Sequence, residues 1–340
     1  MDGDTLVTWE GFIFNVFGYE HPQGRVISFP KYIPLKFKNL FRLRFLERVW
    51  RFSGLRLIRA EKLYKAGNYQ TLLEVFKAVF PDYVYFCPFR GKEVISTPLN
   101  RIRRVFTPKE CLKNLMKLKK KDGLQEAAVD LIQLISDESG VPIEDFGIHG
   151  SIALNMHSEE SDIDLVVYGG RSFRRVEVAV DKLAGEGSIS YVFKNRLDAV
   201  RRYKGKYRGK VFMYNAKVFM YNAVRKPEEI TVKYGEYTYT PLFPVKFKCR
   251  VRDDSEAMFR PAIYKIENYT PANSGSELPE ELVPDRVVSM VGCYRNIARN
   301  HEEIKVSGVL ERVENTQTDE IFHQVVVGTA RSGGEYIWPT

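Results

Sequence analysis

The sequence predicts an α+β protein made of three parts, and three observations support that class. Strand-like and helix-like segments are mixed in residues 1–122, a β-α-β-α order follows in residues 123–240, and short strands without helical periodicity occupy residues 241–340. A chain of 340 residues is long enough for two or three domains, each with its own buried core.

The first part is predicted to be a mixed α/β domain with a basic surface. Residues 6–17 and 25–29 have the apolar character of strands, and the turn-rich segment between them predicts a hairpin. Apolar residues within 40–49 are spaced for one face of a helix. Residues 69–79 predict a second short helix that ends before Pro81.

The middle part is predicted to alternate between helices and strands. Apolar positions in residues 124–139 follow helical spacing, and Gly140 marks the end of that helix. The segments that follow are a short strand and turn (145–150), a short helix (151–157), a buried strand (162–168) and a further helix (171–183). This order predicts an α/β unit.

The last part is predicted to be a small antiparallel β-barrel, similar to an OB-fold. Six short segments alternate in polarity or are continuously apolar, with turn-rich pieces between them: 242–251, 262–269, 286–294, 303–313, 322–328 and 336–338. Residues 253–320 are acidic overall, which argues against this part being the main nucleic-acid surface.

A tandem repeat of seven residues precedes the last part. Residues 210–216 and 217–223 both read KVFMYNA. Strand side chains alternate with a period of two, so a continuous strand would turn the second copy to the opposite face. The repeat therefore predicts that one copy pairs in a sheet while the other bulges or forms a loop.

Composition excludes several classes of protein. The four cysteines contain no C-x-x-C pair, which disfavours a zinc site of that spacing. No apolar run approaches the length of a membrane span, and the start of the chain is acidic, unlike a secretory signal. We therefore expect a cytoplasmic protein.

The net charge of +9 is concentrated in basic blocks. Residues 36–66, 90–121 and 194–226 are rich in Lys and Arg and poor in acids. Blocks that merge on one surface would bind a polyanion such as nucleic acid, whereas separate blocks would be ordinary solvated faces. The basic residues nearest in sequence to the middle part are candidates for nucleic-acid binding: Arg201, Arg202, Lys204, Lys206 and Arg208.

One segment of the middle part carries the residue types of a phosphoryl-transfer site. Asp162 and Asp164 are two residues apart, so on a strand they face the same side, where a divalent cation would relieve their repulsion. Oxygen ligands favour Mg²⁺ or Mn²⁺. Gly150 permits close approach of a ligand, and Ser151 begins a helix whose free N–H groups would face a phosphate. The alternative is that Asp162 caps a turn and Asp164 pairs with a lysine.

Gly-Ser, ten residues, then Asp-Ile-Asp-Leu resembles the signature of the DNA polymerase beta-like nucleotidyltransferase superfamily. The chain as a whole is similar to archaeal predicted nucleotidyltransferases. The resemblance implies a polymerase beta-like core in which Asp162 and Asp164 hold Mg²⁺ or Mn²⁺ while Gly150 and Ser151 hold a nucleoside triphosphate. A hydroxyl would attack the α-phosphorus and pyrophosphate would leave.

The sequence departs from that pattern at one point. Members of the superfamily usually have a third carboxylate on a later strand, but the next strand-like segment here carries Asn222. The remaining candidates are Glu229, Glu236, Asp253 and Asp254. Asp253 is the candidate for a catalytic role, and its alternative is an ordinary turn residue.

These observations predict a metal-dependent nucleotidyltransferase that uses a nucleoside triphosphate, and the basic blocks favour RNA as the acceptor. Two alternatives stay open. The first is a non-catalytic nucleic-acid-binding module that keeps the nucleotidyltransferase fold, which the missing third acid favours. The second is adenylylation of a small molecule or a protein.

Overall fold

A computed structural model describes residues 1–63, 66–193, 198, 210–329 and 334–340. It contains three β-sheets, each with its own buried hydrophobic cluster. The α+β class predicted from the sequence is confirmed. The α-helices of the described residues are α1 (Ala66–Val79), α2 (Pro108–Lys117), α3 (Gly123–Ser139), α4 (Gly150–Ala153) and α5 (Gly170–Gly185). No helix among these residues has the length and apolarity needed to cross a bilayer.

The N-terminal sheet has eight strands. They are β1 (Thr5–Thr8), β2 (Ile13–Val16), β3 (Arg25–Pro34), β4 (Trp50–Phe52), β5 (Leu55–Ile58), β6 (Val84–Cys87), β7 (Lys92–Pro98) and β8 (Ile102–Phe106). β2 and β3 form the expected antiparallel hairpin, while the segment predicted as one strand over 6–17 is split into β1 and β2. α1 confirms the helix predicted over 69–79.

The helix predicted over residues 40–49 is wrong. A 3-10 helix ends at Leu40, and the chain then runs extended, with Leu46 N–H donating to the Arg59 carbonyl at 3.0 Å. Phe45 packs in the cluster beneath the N-terminal sheet, whereas its neighbour Leu46 packs in a different cluster. Adjacent side chains on opposite sides are the geometry of a strand, so tertiary packing overrides the helical spacing.

The central sheet has the strand order β11-β12-β13-β10-β9. Its strands are β9 (Phe146–His149), β10 (Ile163–Tyr168), β11 (Ser190–Tyr191), β12 (Phe212–Tyr214) and β13 (Lys217–Val224). β10 is parallel to β13 and antiparallel to β9. α3 and α5 pack on one face, where Ile163, Leu165 and Val167 are buried. The opposite face meets the N-terminal part.

Helix α3 has the boundaries that its sequence predicts. The Asp122 carboxylate accepts hydrogen bonds from the N–H groups of Leu124 and Gln125 at 3.1 and 3.0 Å, and Gln125 Oε1 accepts from Asp122 N–H. This capping box satisfies N–H groups that would otherwise lack partners. Gly140 ends the helix with φ of +59°, a left-handed conformation that favours glycine.

The KVFMYNA repeat folds as a hairpin in which both copies pair, so the expectation of a single paired copy is wrong. Asn215 and Ala216 have φ of +46° and +58°, and this two-residue turn reverses the chain between the copies. Because the chain reverses, Phe212 lies opposite Phe219, its equivalent in the second copy, and both are buried. Their rings stack at 5.2 Å between centroids.

The C-terminal sheet has six strands in the order β14-β15-β16-β18-β17-β19, and β14 also pairs with β17. They are β14 (Tyr237–Glu256), β15 (Ala262–Pro271), β16 (Arg286–Ser289), β17 (Glu303–Asn315), β18 (Ile321–Val327) and β19 (Tyr336–Pro339). All six correspond to segments predicted as strands. β16 and β18 are parallel, and the other pairs are antiparallel.

Candidate active site

Gly150 brings the two halves of the Gly-Ser and Asp-x-Asp motif together. It joins β9 to α4 with φ of +70°. A Cβ atom added to Gly150 would lie 2.1 Å from Asp164 Oδ2, far inside van der Waals contact. The position therefore requires glycine both for its backbone conformation and for the space that the carboxylate occupies.

The two aspartates share one face of the central sheet. Asp162 directly precedes β10, and Asp164 is the second residue of that strand. Ile163 and Leu165 alternate with them and are fully buried against the helices. The carboxylates therefore point away from the helices, and both residues are only partly buried.

The N-terminal part of the chain lies along this same face. A Cβ atom added to Gly3 would lie 3.1 Å from Val224 Cγ2 of β13, and one added to Gly147 would lie 2.6 Å from Pro108 Cβ of α2. The two carboxylates thus lie on the side of the central sheet that faces the N-terminal part of the chain.

Helix α4 is shorter than the sequence predicts. It ends at Ala153 rather than at residue 157, and the Ser151 carbonyl accepts a hydrogen bond from Met156 N–H at 2.8 Å. Leu154 and Met156 leave the helix to pack against the N-terminal sheet. Ser151 is half-buried and directly follows Gly150 at the start of α4.

His149 is the cross-strand neighbour of Asp164, since the two residues face each other in the β9–β10 register. Burial, together with the charges of Lys31 and Arg260, lowers the pKa of His149 to about 3. The imidazole is therefore neutral near pH 7. It contributes no charge to the site, whereas Lys31 and Arg260 place two positive charges near it.

No acid occupies the position of a third metal ligand on β13. Met220 lies opposite Asp164 and Asn222 lies opposite Val166, so both of these β13 side chains lie on the aspartates' face. Arg295 Nη2 donates to Asn222 Oδ1 at 2.7 Å. Across the residues that the structure describes, no group of three or more His, Cys, Asp or Glu side chains is arranged to hold a metal ion.

The contacts of Asp253 favour a structural role over the catalytic role that the sequence predicts, and the catalytic role stays a prediction. Its Oδ1 accepts from Ser255 N–H at 2.8 Å, and its Oδ2 lies 3.2 Å from Lys265 Nζ on the neighbouring strand β15. These contacts hold the carboxylate between β14 and β15, and Asp253 lies within strand β14 rather than in the turn that its alternative implies. Hydrogen bonds from Ser255 and the charge of Lys265 lower the pKa of Asp253, against the raising effect of partial burial.

The other candidate acids also have structural roles. Asp254 pairs with Arg174 at 2.6 Å and so joins β14 to α5. Glu229 accepts from Gly170 N–H at 2.8 Å at the start of α5. Glu236 accepts from Lys233 N–H within its own loop.

Arg260 is a basic residue beside the site that sequence reasoning missed. Its Nη1 lies 3.3 Å from Asp2 Oδ1, and its guanidinium lies 4.2 Å from the ring centroid of Phe17. Arg260 Nε is buried and has no hydrogen-bond partner in the structure. Nothing in the sequence marked it, because it lies in the acidic stretch and reaches Asp2 and Phe17 only through the tertiary fold.

The five basic residues nearest in sequence to the core lie outside the described residues: Arg201, Arg202, Lys204, Lys206 and Arg208. Their assignment to nucleic-acid binding remains a prediction.

A comparison with known proteins supports the class of protein that the motif predicted. The family model described as the nucleotidyltransferase domain matches residues 130–217, which include both motif halves and end at the first residue of β13. This match supports the resemblance to the polymerase beta-like nucleotidyltransferase superfamily that the Gly-Ser and Asp-x-Asp motif indicated.

One relative covers almost the whole chain. The uncharacterized protein MJ1086 of Methanocaldococcus jannaschii is 28% identical over 349 aligned residues, which span 98% of this chain and 97% of the relative. The similarity therefore extends over all three sheets. No solved structure matches the chain.

Proposed function

We propose that this protein is a metal-dependent nucleotidyltransferase that transfers a nucleoside monophosphate from a triphosphate to an acceptor hydroxyl. The observation that carries the proposal is the contact between Gly150 and the Asp164 carboxylate. Gly150 has no room for a side chain, and it lies against the carboxylate of Asp164. A phosphate bound together with a metal ion needs such a close approach of the backbone to the carboxylate.

The donor set fits a hard divalent cation. Asp162 and Asp164 offer carboxylate oxygens from one face of β10, and such oxygens suit Mg²⁺ or Mn²⁺. These two residues would hold the ion. When bound, it would neutralise negative charge on the phosphates and on the attacking oxygen.

The protein's own groups would bind and orient the triphosphate. Gly150 N–H and the Ser151 hydroxyl would donate to phosphate oxygens at the start of α4. Arg260 Nε, which is buried without a partner, offers a further charged donor on the same side of the sheet. Lys31 adds a second positive charge near His149.

We expect Arg260→Ala to raise the KM for the triphosphate about tenfold, with a smaller effect on kcat, because the guanidinium binds ground state and transition state alike. Steady-state kinetics at fixed Mg²⁺ measures both constants. Asp2→Asn is the matched control, since it removes the ion-pair partner and leaves Arg260 in place. A KM unchanged by Arg260→Ala would remove this residue from the triphosphate site.

RNA is the acceptor that we propose, on the basis of charge. The net charge is +9, and basic side chains cluster on the N-terminal sheet. Arg48 and Arg59 lie 5.1 and 5.7 Å from the ring of Trp50, and Arg51 lies opposite Arg56 on the adjacent strand. Such an accumulation of cations suits a polyphosphate chain, because each neutralised phosphate releases counterions.

A second candidate function is a nucleotide- and RNA-binding module without transferase activity. Asn222 supports it, because an amide is a poor metal ligand and cannot accept the proton of an attacking hydroxyl. The hydrogen bond from Arg295 fixes this amide in place.

Incubation with labelled nucleoside triphosphates, Mn²⁺ and pooled RNA separates these functions. Incorporation that is lost in Asp162→Ala supports the transferase. Metal-independent RNA binding without incorporation supports the module. Label transferred to protein or to a small molecule in the absence of RNA supports adenylylation of that acceptor instead.

We expect Asn222→Asp to raise the rate of incorporation about tenfold or more, because it adds a carboxylate on the aspartates' face of the sheet. Single-turnover incorporation measures the effect. Asn215→Asp makes the same change at the equivalent position of the first repeat copy, in the hairpin turn, and is expected to leave the rate unchanged. Equal rates in wild type and Asn222→Asp would show that this position does not limit transfer.

We also propose that the chain divides into domains at 1–122, 123–240 and 241–340, and that the last is a closed OB-like barrel. β14 pairs with both β15 and β17, and β16 pairs with β18, so the pairing runs in a ring: β14-β15-β16-β18-β17-β14. This ring, with its single parallel pair, supports a closed barrel. Met258 and Phe259 nevertheless pack in the central hydrophobic cluster and tie the last two domains together.

A further inference from the structure

The outer face of β14 carries a row of exposed cations. Side chains alternate along the strand, and the inward-facing ones are buried: Val245, Phe247, Cys249 and Val251. The outward-facing ones between and beyond them are all basic and exposed: Lys246, Lys248, Arg250 and Arg252. Successive members of the row are about 6.6–6.8 Å apart along the strand.

The register of the sheet brings like charges together on this face. Lys248 of β14 lies directly opposite Lys305 of β17, and both are exposed. Like charges in directly opposed positions destabilise an antiparallel pair. Among the ion pairs of the described residues, none includes either lysine. Folding alone gives no reason for such a pair, whereas a bound anion would bridge the two ammonium groups.

An aromatic side chain adjoins the two lysines. Trp338 of β19 lies opposite Lys305 in the β17–β19 register and is half-buried. On the other side of β14, Thr270 of β15 lies opposite Lys248. A groove of about 340 Å³ adjoins Lys248 and Thr270, and its lining extends to Arg250 and Glu303 but includes neither Lys305 nor Trp338. A cationic and an aromatic group thus stand side by side on one sheet face.

Acidic residues limit this face at one end. Glu303 lies opposite Arg250 in the β14–β17 register, and Glu267 Oε1 is 3.8 Å from Arg250 Nε. Arg250 is therefore partly neutralised. The cations on the side of Arg250 away from Arg252, together with the indole, define what we call the basic-aromatic face: Lys246, Lys248, Lys305 and Trp338.

We propose that the basic-aromatic face binds single-stranded RNA and so holds the acceptor strand. This inference rests on the proposed transfer to RNA. Lysines about one phosphate spacing apart would bind the backbone, and Trp338 would stack on a base, which only an unpaired strand exposes. The overall acidity of residues 253–320 argued against this part as a nucleic-acid surface, but acidity averaged along the chain does not reveal a basic face on one side of a sheet.

The test is fluorescence anisotropy of the full chain with a labelled 20-nucleotide single-stranded RNA, without triphosphate. We expect Lys248→Ala/Lys305→Ala to weaken binding at least tenfold. We also expect the slope of log K against log salt to fall by about 1.4, which is about 0.7 for each phosphate that the variant no longer neutralises. Lys77→Ala/Lys182→Ala is the control, because it removes the same charge from two exposed lysines that pair with glutamates. Equally weakened binding in both double variants would overturn the proposal.

Trp338 provides an independent readout. We expect Trp338→Ala to weaken RNA binding about tenfold with an unchanged salt slope, since stacking involves no phosphate charge. Single-stranded DNA tests sugar selectivity, and a strong preference for duplex RNA would contradict stacking on an unpaired base. An unchanged affinity in Trp338→Ala would likewise overturn the proposed contact.

Failure of this inference can be told apart from failure of the proposed function. Normal RNA binding by the Lys248→Ala/Lys305→Ala variant, with incorporation intact, would remove only the basic-aromatic face. Weakened binding in that variant, with no incorporation by wild type, would keep the face and remove the transferase activity.

Discussion

Replacing Gly150 by alanine is expected to reduce nucleotide incorporation about a hundredfold or more. The added Cβ would lie 2.1 Å from Asp164 Oδ2, so either the carboxylate or the turn must move by more than an ångström. A displacement of that size at a catalytic group costs about a hundredfold in rate. Steady-state incorporation of labelled nucleotide, compared with wild type, measures the loss.

Backbone strain alone would not produce this result, and a second glycine tests that. Gly54 has φ of +82° and no heavy atom within 4 Å of an added Cβ. Gly54→Ala therefore introduces comparable left-handed strain, about 1–2 kcal/mol, without a clash. We expect both variants to melt slightly below wild type and only Gly150→Ala to lose activity. Similar activity losses in the two variants would show that the clash with Asp164 is not the cause.

Asp164→Asn is expected to reduce incorporation about a thousandfold, because an amide keeps the shape of the side chain but removes the charge that would hold the divalent ion. Stabilisation of transition-state charge by a metal is worth several kcal/mol, and each 1.36 kcal/mol is about tenfold in rate. The apparent affinity for Mn²⁺ should fall together with the rate. The measurement is incorporation as a function of Mn²⁺ concentration.

Asp253→Asn is the matched control for this prediction. It makes the same chemical change at a carboxylate of β14 that is held by Ser255 of the same strand and by Lys265 of β15. We expect activity and Mn²⁺ dependence close to wild type. A large loss of activity in Asp253→Asn would restore this residue as the third acid and contradict a site built on Asp162 and Asp164 alone.

The sequence predicted the parts of the site that depend on local pattern. Gly150 and Asp164 belong to a short motif whose spacing reflects one turn and one strand, so periodicity alone placed both aspartates on one face. The six C-terminal strands were likewise visible, because each segment alternates in polarity or is continuously apolar.

Features that depend on distant pairing could not be predicted. The chain reverses between the two copies of the repeat at Asn215 and Ala216, and KVFMYNA contains no glycine that would predict a turn there. This reversal determines the face of the sheet on which Asn222 lies. Arg260 approaches His149 only after three sheets have packed. The segment 40–49 has helical spacing but divides its side chains between two clusters, which only the assembled core provides.

The central claim is that Asp162, Asp164 and Gly150 form one site for a divalent cation and a triphosphate. Electron paramagnetic resonance of Mn²⁺ titrated into the full-length protein, with and without a non-hydrolysable nucleoside triphosphate, tests it most directly. We expect Mn²⁺ to bind wild type more tightly when the analogue is present, and this enhancement to vanish in Asp164→Asn and Gly150→Ala but not in Asp253→Asn. Mn²⁺ binding that is equal in all four proteins, and independent of the analogue, would contradict the claim.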